Sequence, residues 1–146
     1  MKAIKSVVIL IADDDEDDRL LTKDALEENR VINDLRFVED GQELLDYLRG
    51  EGQFKNLDCP RPGLILLDLN MPRKDGRQTL AELKADPRFK SIPVVILTTS
   101  KAEEDMIKGY DLGAASYISK PVNFEDMVEL MKTMGKYWID IVDLPR

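Results

Sequence analysis

Three short runs built only from valine, isoleucine and leucine constrain the fold of this chain more than any other feature. They occupy residues 7–11, 64–67 and 94–97. Apolar runs of this length, without alternating polar residues, are typical of strands that are buried on both faces. Strands of that kind belong to parallel sheets with helices on both sides, so the three runs predict an α/β fold.

Two weaker runs and five helical segments complete the pattern. Leu35–Val38 is half apolar and indicates an edge strand, and Ser116–Ser119 indicates a short last strand. The helices are expected to begin near Asp15, Asp40 or Gly41, Gly76, Ser100 and Asn123, and the last one to continue into a tail at about 135–146. Five strands alternating with five helices, the most apolar strands being central, predict a flavodoxin-like doubly wound parallel sheet of order 2-1-3-4-5. The length of 146 residues predicts a single domain over residues 1–146.

Composition excludes several classes of function. The net charge of −8 argues against nucleic-acid binding, which needs a basic face. Histidine is absent, which excludes a catalytic histidine and ordinary His-ligated zinc. Cys59 is the single cysteine, so no intramolecular disulfide forms, as in proteins of reducing compartments. No apolar run is long enough to span a membrane and no secretory signal precedes the first strand, so we expect a cytoplasmic protein.

Polar and charged residues follow the predicted strands where those strands end. They are Asp13 and Asp14 after the first strand, Asp68 after the third, Thr98 after the fourth and Lys120 after the fifth. The carboxyl ends of parallel strands share one edge, where open α/β sheets bind ligands. Taken alone, Asp68 fits a turn, and an acidic run fits the start of a helix. Because Asp13 and Asp14 precede the expected N-cap at Asp15, capping does not explain them, and we predict a site at this edge.

The residue types at this edge suit phosphoryl transfer assisted by a hard cation. Carboxylate oxygens without histidine or cysteine are suitable ligands for Mg²⁺, and three neighbouring carboxylates repel one another unless a cation lies between them. Asp68 can act as a nucleophile and form an acyl phosphate. The Thr98 hydroxyl can donate a hydrogen bond to a phosphoryl oxygen, and Lys120 adds positive charge.

In this order and at these strand ends, Asp13-Asp14, Asp68, Thr98 and Lys120-Pro121 resemble the receiver domain of two-component response regulators. The resemblance covers nearly the whole chain. It implies that a sensor histidine kinase phosphorylates Asp68. The resemblance also implies an Mg²⁺ ion held by Asp13, Asp14, Asp68 and the backbone carbonyl of Asn70. The protein would then be a phosphoacceptor rather than an enzyme with a separate substrate.

The resemblance also implies a conformational switch. Thr98 and Tyr117 would form the switch pair, in which Tyr117 rotates inward once the Thr98 hydroxyl has moved toward the phosphoryl group. The alternative is that Tyr117 is simply an aromatic residue of an edge strand. Lys120 would contact the phosphoryl group, and its peptide bond to Pro121 is expected to be cis.

A narrower resemblance is to the single-domain regulators associated with bacterial phytochromes. It is carried by Arg49–Gly52, Arg61-Pro62, Leu67–Pro72 and Trp138–Pro145. It implies a bacterial phytochrome as the kinase. Because the chain ends at Arg146, we expect the output to be an interaction with a protein that the sequence does not name. The apolar residues of the tail either cover the core of their own domain or pair with a second copy to form a homodimer.

Two other functions fit parts of the pattern. A haloacid dehalogenase-type phosphatase uses similar residues around Mg²⁺, but it carries its nucleophile after the first strand in an Asp-x-Asp pattern. Here Asp68 follows the third predicted strand, and Asn70 stands two residues on. The second alternative is a binding module that keeps the fold but is never phosphorylated, although no member of the site is missing. Hydrolysis of a generic phosphomonoester would identify the phosphatase.

Overall fold

The computed structural model describes residues 8–28, 34–69, 71–98, 116–119, 121 and 123–142, without the side chains of residues 98, 116–119 and 134–142. Five strands form one parallel sheet: β1 (Ile9–Ala12), β2 (Leu35–Val38), β3 (Leu64–Asp68), β4 (Val94–Thr98) and β5 (Ser116–Ser119). Their order is β2-β1-β3-β4-β5, which confirms the predicted order and is the order of flavodoxin. The Leu35–Val38 strand lies at one edge, as predicted.

The described part of the chain contains four α-helices: α1 (Glu16–Glu28), α2 (Gly41–Arg49), α3 (Gly76–Ala85) and α4 (Phe124–Val142). The predicted helix after Ser100 lies outside the described residues. Side-chain oxygens cap all four observed helices. Asp15 accepts hydrogen bonds from the amides of Asp17 and Asp18, Asp40 from Glu43, Asp75 from Gln78, and Asn123 from Asp126. These caps fix where each helix leaves the carboxyl edge of the sheet.

Each face of the sheet carries its own core, which explains why the strand runs are apolar throughout. Alternate residues of β1 point to opposite faces: Ile9 and Ile11 pack with α1 and α4, whereas Leu10 packs with α2 and α3. Met127 and Met131 of α4 are buried in this way. The sequence also suggests Phe124 for the core face, and this is wrong, because its side chain is 41% exposed. Phe124 is the first residue of α4.

The last helix continues into the predicted tail. It passes through Gly135 and ends at Val142, which places most of the predicted tail extension on a regular helix. The apolar side chains beyond Gly135 and the last four residues lie outside what the structure describes. Among the described residues, no helix combines the length and apolar character needed to cross a membrane.

The polar stretch 50–61, which predicts a surface loop, contains a 3₁₀ turn at Gly52–Phe54 and packs partly against α2. The Tyr47 side chain is buried, and its hydroxyl donates a 2.9 Å hydrogen bond to the carbonyl of Pro60. The ring of Phe54 meets the ring of Tyr47 edge-on at 5.4 Å between centroids. Burial raises the pKa of Tyr47 to about 12, because the ionised ring would lose its hydration.

This shift predicts a loss of stability in alkaline solution. The unfolded chain releases the Tyr47 proton near its ordinary pKa of 10.0, whereas the folded protein keeps it to about 12. The stabilisation is therefore complete below pH 10 and is lost as the pH rises through 12, and we expect about 1–2 kcal/mol. The free energy of unfolding of the wild type and of Tyr47→Phe can be measured with urea at pH 9 and at pH 11. Between these two pH values it should fall more in the wild type than in Tyr47→Phe. An equal fall in the two proteins would contradict a raised Tyr47 pKa, because the titration of the lysines is common to both.

Candidate functional site

The strand register brings three of the predicted site residues together. Ala12 lies opposite Leu67, so the residues that follow them, Asp13 and Asp68, are neighbours at the carboxyl edge. Each of Asp13, Asp14 and Asp68 offers a carboxylate oxygen, and these oxygens all lie within 4.8 Å of one another. Asp13 and Asp68 are 2% and 5% exposed, whereas Asp14 is exposed to solvent. The predicted cluster of carboxylates therefore exists, buried on one side and accessible on the other.

The chemistry of this cluster fits a hard divalent cation. The donors are all oxygens, and Mg²⁺ binds to a few carboxylates while it keeps several water molecules. Because Asp14 is exposed, the cluster is open to solvent on that side. Carboxylates held so close together repel one another, so a bound cation would also remove that repulsion. These three residues are thus suited to hold Mg²⁺.

Asp13 is held in place by groups that sequence reasoning did not identify. Its carboxylate accepts a 3.0 Å hydrogen bond from the Asp15 amide, and its own amide donates to the Val38 carbonyl at 3.0 Å. Arg19 of α1 donates a 2.8 Å hydrogen bond from Nη1 to the Asp13 carbonyl and lies 3.6 Å from Glu39. Arg19 directly follows the acidic run 13–18, and nothing in the sequence indicates that it bonds back to Asp13. Its position shows that α1 buttresses the end of β1.

The segment after Asp68 folds back tightly on it. The amide of Leu69 donates to the Leu97 carbonyl at 3.1 Å, and the amide of Gly76 donates to the Leu69 carbonyl at 2.9 Å. A Cβ atom added to Gly76 would lie 2.7 Å from the Asp68 carbonyl oxygen. We call Leu69 and residues 71–75 the acceptor loop. Its close return explains why a glycine opens α3 directly behind Asp68.

A salt bridge that the sequence did not predict joins the acceptor loop to α2. Arg73 donates from Nε and Nη2 to Oδ2 of Asp40, at 2.7 and 2.6 Å. The hydrogen bond with Asp40 raises the pKa of the Arg73 guanidinium above its ordinary value. One residue further on, the Lys74 carbonyl accepts a 3.1 Å hydrogen bond from the Gly41 amide.

The other predicted site residues are described only in part. Thr98 is the last residue of β4, next to the strand that bears Asp68, and Tyr117 lies in β5 opposite Ile96, but neither side chain is described. Asn70 and Lys120 lie outside the described residues, and so does the peptide bond that precedes Pro121. The metal, phosphoryl-contacting and switch roles therefore stay predictions for these residues.

Comparison with known proteins decides the family. The response regulator receiver domain family matches residues 9–132. The chain belongs to that family. Its assignment to two-component signalling is thereby confirmed, and membership favours the receiver over a haloacid dehalogenase-type phosphatase.

The relatives also confirm the narrower resemblance. Over 138 residues, the chain is 40% identical to the response regulator Rcp1 of Synechocystis sp., covering 94% of this chain and 92% of that protein. A crystal structure of the phosphorylated cyanobacterial phytochrome response regulator RcpA is 41% identical, with a TM-score of 0.84 over 97% of this chain and 100% of that one. The Mn²⁺-bound form of Rcp1 is 39% identical, with a TM-score of 0.83 over 96% and 99% of the two chains. The chain is thus a response regulator related to those of phytochromes.

Proposed function

We propose that this response regulator accepts a phosphoryl group on Asp68 from a phosphorylated histidine of a sensor kinase. The single observation that carries the proposal is the oxygen cluster of Asp13, Asp14 and Asp68 at the carboxyl edge of the sheet. A carboxylate oxygen of Asp68 forms the new bond to phosphorus as the bond from phosphorus to the imidazole nitrogen breaks. The electron pair of that bond stays on the imidazole, which takes up a proton from solvent.

The residues of this chain supply positioning and charge. Asp13, Asp14, Asp68 and the Asn70 carbonyl would hold Mg²⁺, which when bound neutralises charge on the phosphoryl oxygens. The pairing of β3 with β1 and β4 fixes the backbone of Asp68 before the donor arrives. In the proposed assignment, Thr98 and Lys120 contact the transferred group and Tyr117 responds to the movement of Thr98.

The phytochrome relatives support a bacterial phytochrome as the kinase. We propose the cytoplasm as the place of the exchange. We propose that the phosphorylated protein signals by binding a target protein, and that it does not turn over a separate substrate. The extension of α4 to Val142 supports a contact surface beyond the receiver core. The pairing of two copies through this extension stays a prediction.

The proposed chemistry is tested by metal removal. With acetyl phosphate and Mg²⁺, we expect the intact protein to gain the mass of one phosphoryl group, because the small donor replaces the kinase. Chelation with EDTA should reduce the modification to background, and an excess of Mg²⁺ should restore it. A modification that proceeds equally well in EDTA would contradict the assignment of the carboxylate cluster as the metal site. A generic phosphomonoester should remain unhydrolysed throughout.

A further inference from the structure

We infer that Arg73 is a positioning residue for phosphoryl acceptance. Through its bond to Asp40, Arg73 holds the acceptor loop against the N-terminus of α2 and thereby sets the metal affinity of the cluster of Asp13, Asp14 and Asp68. This inference rests on the proposed function. In this role Arg73 acts through the loop and contacts neither the metal nor the phosphoryl group.

The backbone of Arg73 is the first observation. Its φ angle is +60°, and among the described residues only Arg73 and Asn56 combine a positive φ with a side chain. The left-handed conformation costs a residue with a Cβ on the order of 1 kcal/mol, and it persists where neighbouring contacts enforce it. Glycine is the usual residue at such a position. An arginine here indicates that its side chain makes contacts that compensate for the strain of the backbone.

The partner of Arg73 is the second observation. Both oxygens of Asp40 are engaged, because Oδ1 accepts the Glu43 amide as the cap of α2 and Oδ2 accepts both guanidinium hydrogen bonds. The Asp40 side chain is only 6% exposed, whereas that of Arg73 is 59% exposed. An exposed arginine thus reaches inward to a nearly buried carboxylate. Loss of the guanidinium would leave Oδ2 buried without these donors, which is unfavourable.

The connection to Asp68 is the third observation. Arg73 donates to Asp40, and the next residue of the loop, Lys74, accepts a hydrogen bond from Gly41, the residue that follows Asp40. These two bonds therefore hold the acceptor loop and the start of α2 together at two adjacent points. At one end the loop is bonded to β4 through the Leu69 amide, and at the other end it leads into Gly76, which lies against the backbone of Asp68. Displacement of the loop would consequently move Asp68.

Metal and phosphoryl sites need their ligands to within about 0.5 Å, so a small displacement has a measurable effect. Removing a supporting group outside the ligand set typically weakens metal binding about 10–100-fold. Arg73 acts through the loop rather than on a ligand directly, so we expect the lower end, about tenfold.

Arg73→Gly is the variant that tests the inference, since glycine keeps the left-handed backbone and removes the guanidinium. We expect its dissociation constant for Mg²⁺, measured by calorimetry without any phosphoryl donor, to rise about tenfold over the wild type. Arg88→Gly is the matched control. Arg88 makes a comparable salt bridge to Asp86, with Nη2 to Oδ2 at 2.8 Å, at the C-terminal end of α3 and away from the carboxyl edge. This control should bind Mg²⁺ like the wild type.

Asp40→Asn provides a second variant if Arg73→Gly does not fold. It keeps an oxygen for the Glu43 amide but removes the charge that Arg73 contacts, and we expect the same weakening of Mg²⁺ binding. Wild-type affinity in a folded Arg73→Gly or Asp40→Asn protein would overturn the inference, and so would equal losses in Arg73→Gly and Arg88→Gly. Failure of the wild type itself to bind Mg²⁺ would instead contradict the proposed function.

Discussion

Replacing Asp68 by asparagine is expected to abolish acyl-phosphate formation. Asparagine has nearly the same shape, but its amide oxygen carries no charge and is a poor nucleophile, so the new bond to phosphorus does not form. Asp13 and Asp14 would remain in place. Incubation with acetyl phosphate and Mg²⁺, followed by intact-mass measurement, should show modification of the wild type and none of Asp68→Asn.

The loss should not come from unfolding. In the absence of metal, three carboxylates within 4.8 Å repel one another, so removing one charge should leave the variant as stable as the wild type, or about 1 kcal/mol more stable. Asp58→Asn, in the stretch between α2 and β3, is the matched control and should be modified normally, because Asp58 is exposed and precedes the amino end of β3, whereas Asp68 lies at its carboxyl end. Undiminished modification of Asp68→Asn would mean that the acceptor is another residue.

Much of this fold is readable from the sequence because its central strands are buried on both faces. Ile9, Leu10 and Ile11 must all be apolar, since two cores need them, and this leaves a continuous run. The acidic cluster is readable for a different reason. Asp15 caps α1, and the acids that follow it lie in the first turn of that helix, where negative charge is favourable. Asp13 and Asp14 precede the cap, so the helix does not account for them.

The contacts around the acceptor loop could not be read in the same way. Asp40 and Arg73 lie 33 residues apart, and neither belongs to a periodic pattern that would pair them. Asp40 also has a sufficient local explanation as a helix cap, which conceals its second role. Arg73 gives no sign of a positive φ, because asparagine and glycine are the residues that signal it. Long-range bonds made by residues with a good local explanation are the ones that sequence reasoning misses.

Gly76→Ala is expected to destabilise the protein by about 2–3 kcal/mol. Two effects oppose each other at this position. Gly76 opens α3 without a positive φ, so alanine would suit the backbone and helix propensity would favour it by up to about 1 kcal/mol. The added Cβ, however, would lie 2.7 Å from the Asp68 carbonyl oxygen and 2.8 Å from the Leu69 Cα. Both are backbone atoms of a paired strand end and cannot rotate away as a side chain would, so the steric term should dominate.

The clash should also slow phosphorylation, because the new methyl group would push against the backbone of Asp68. We expect urea unfolding to show the lost stability, and modification by acetyl phosphate to slow at least about tenfold in the protein that remains folded. Gln78→Ala, two residues later at an exposed position of α3, is the matched control and should be as stable as the wild type and modified at the same rate. If Gly76→Ala proved as stable as the wild type, helix propensity would outweigh the clash, and the acceptor loop would have to be able to move away from α3 at little cost.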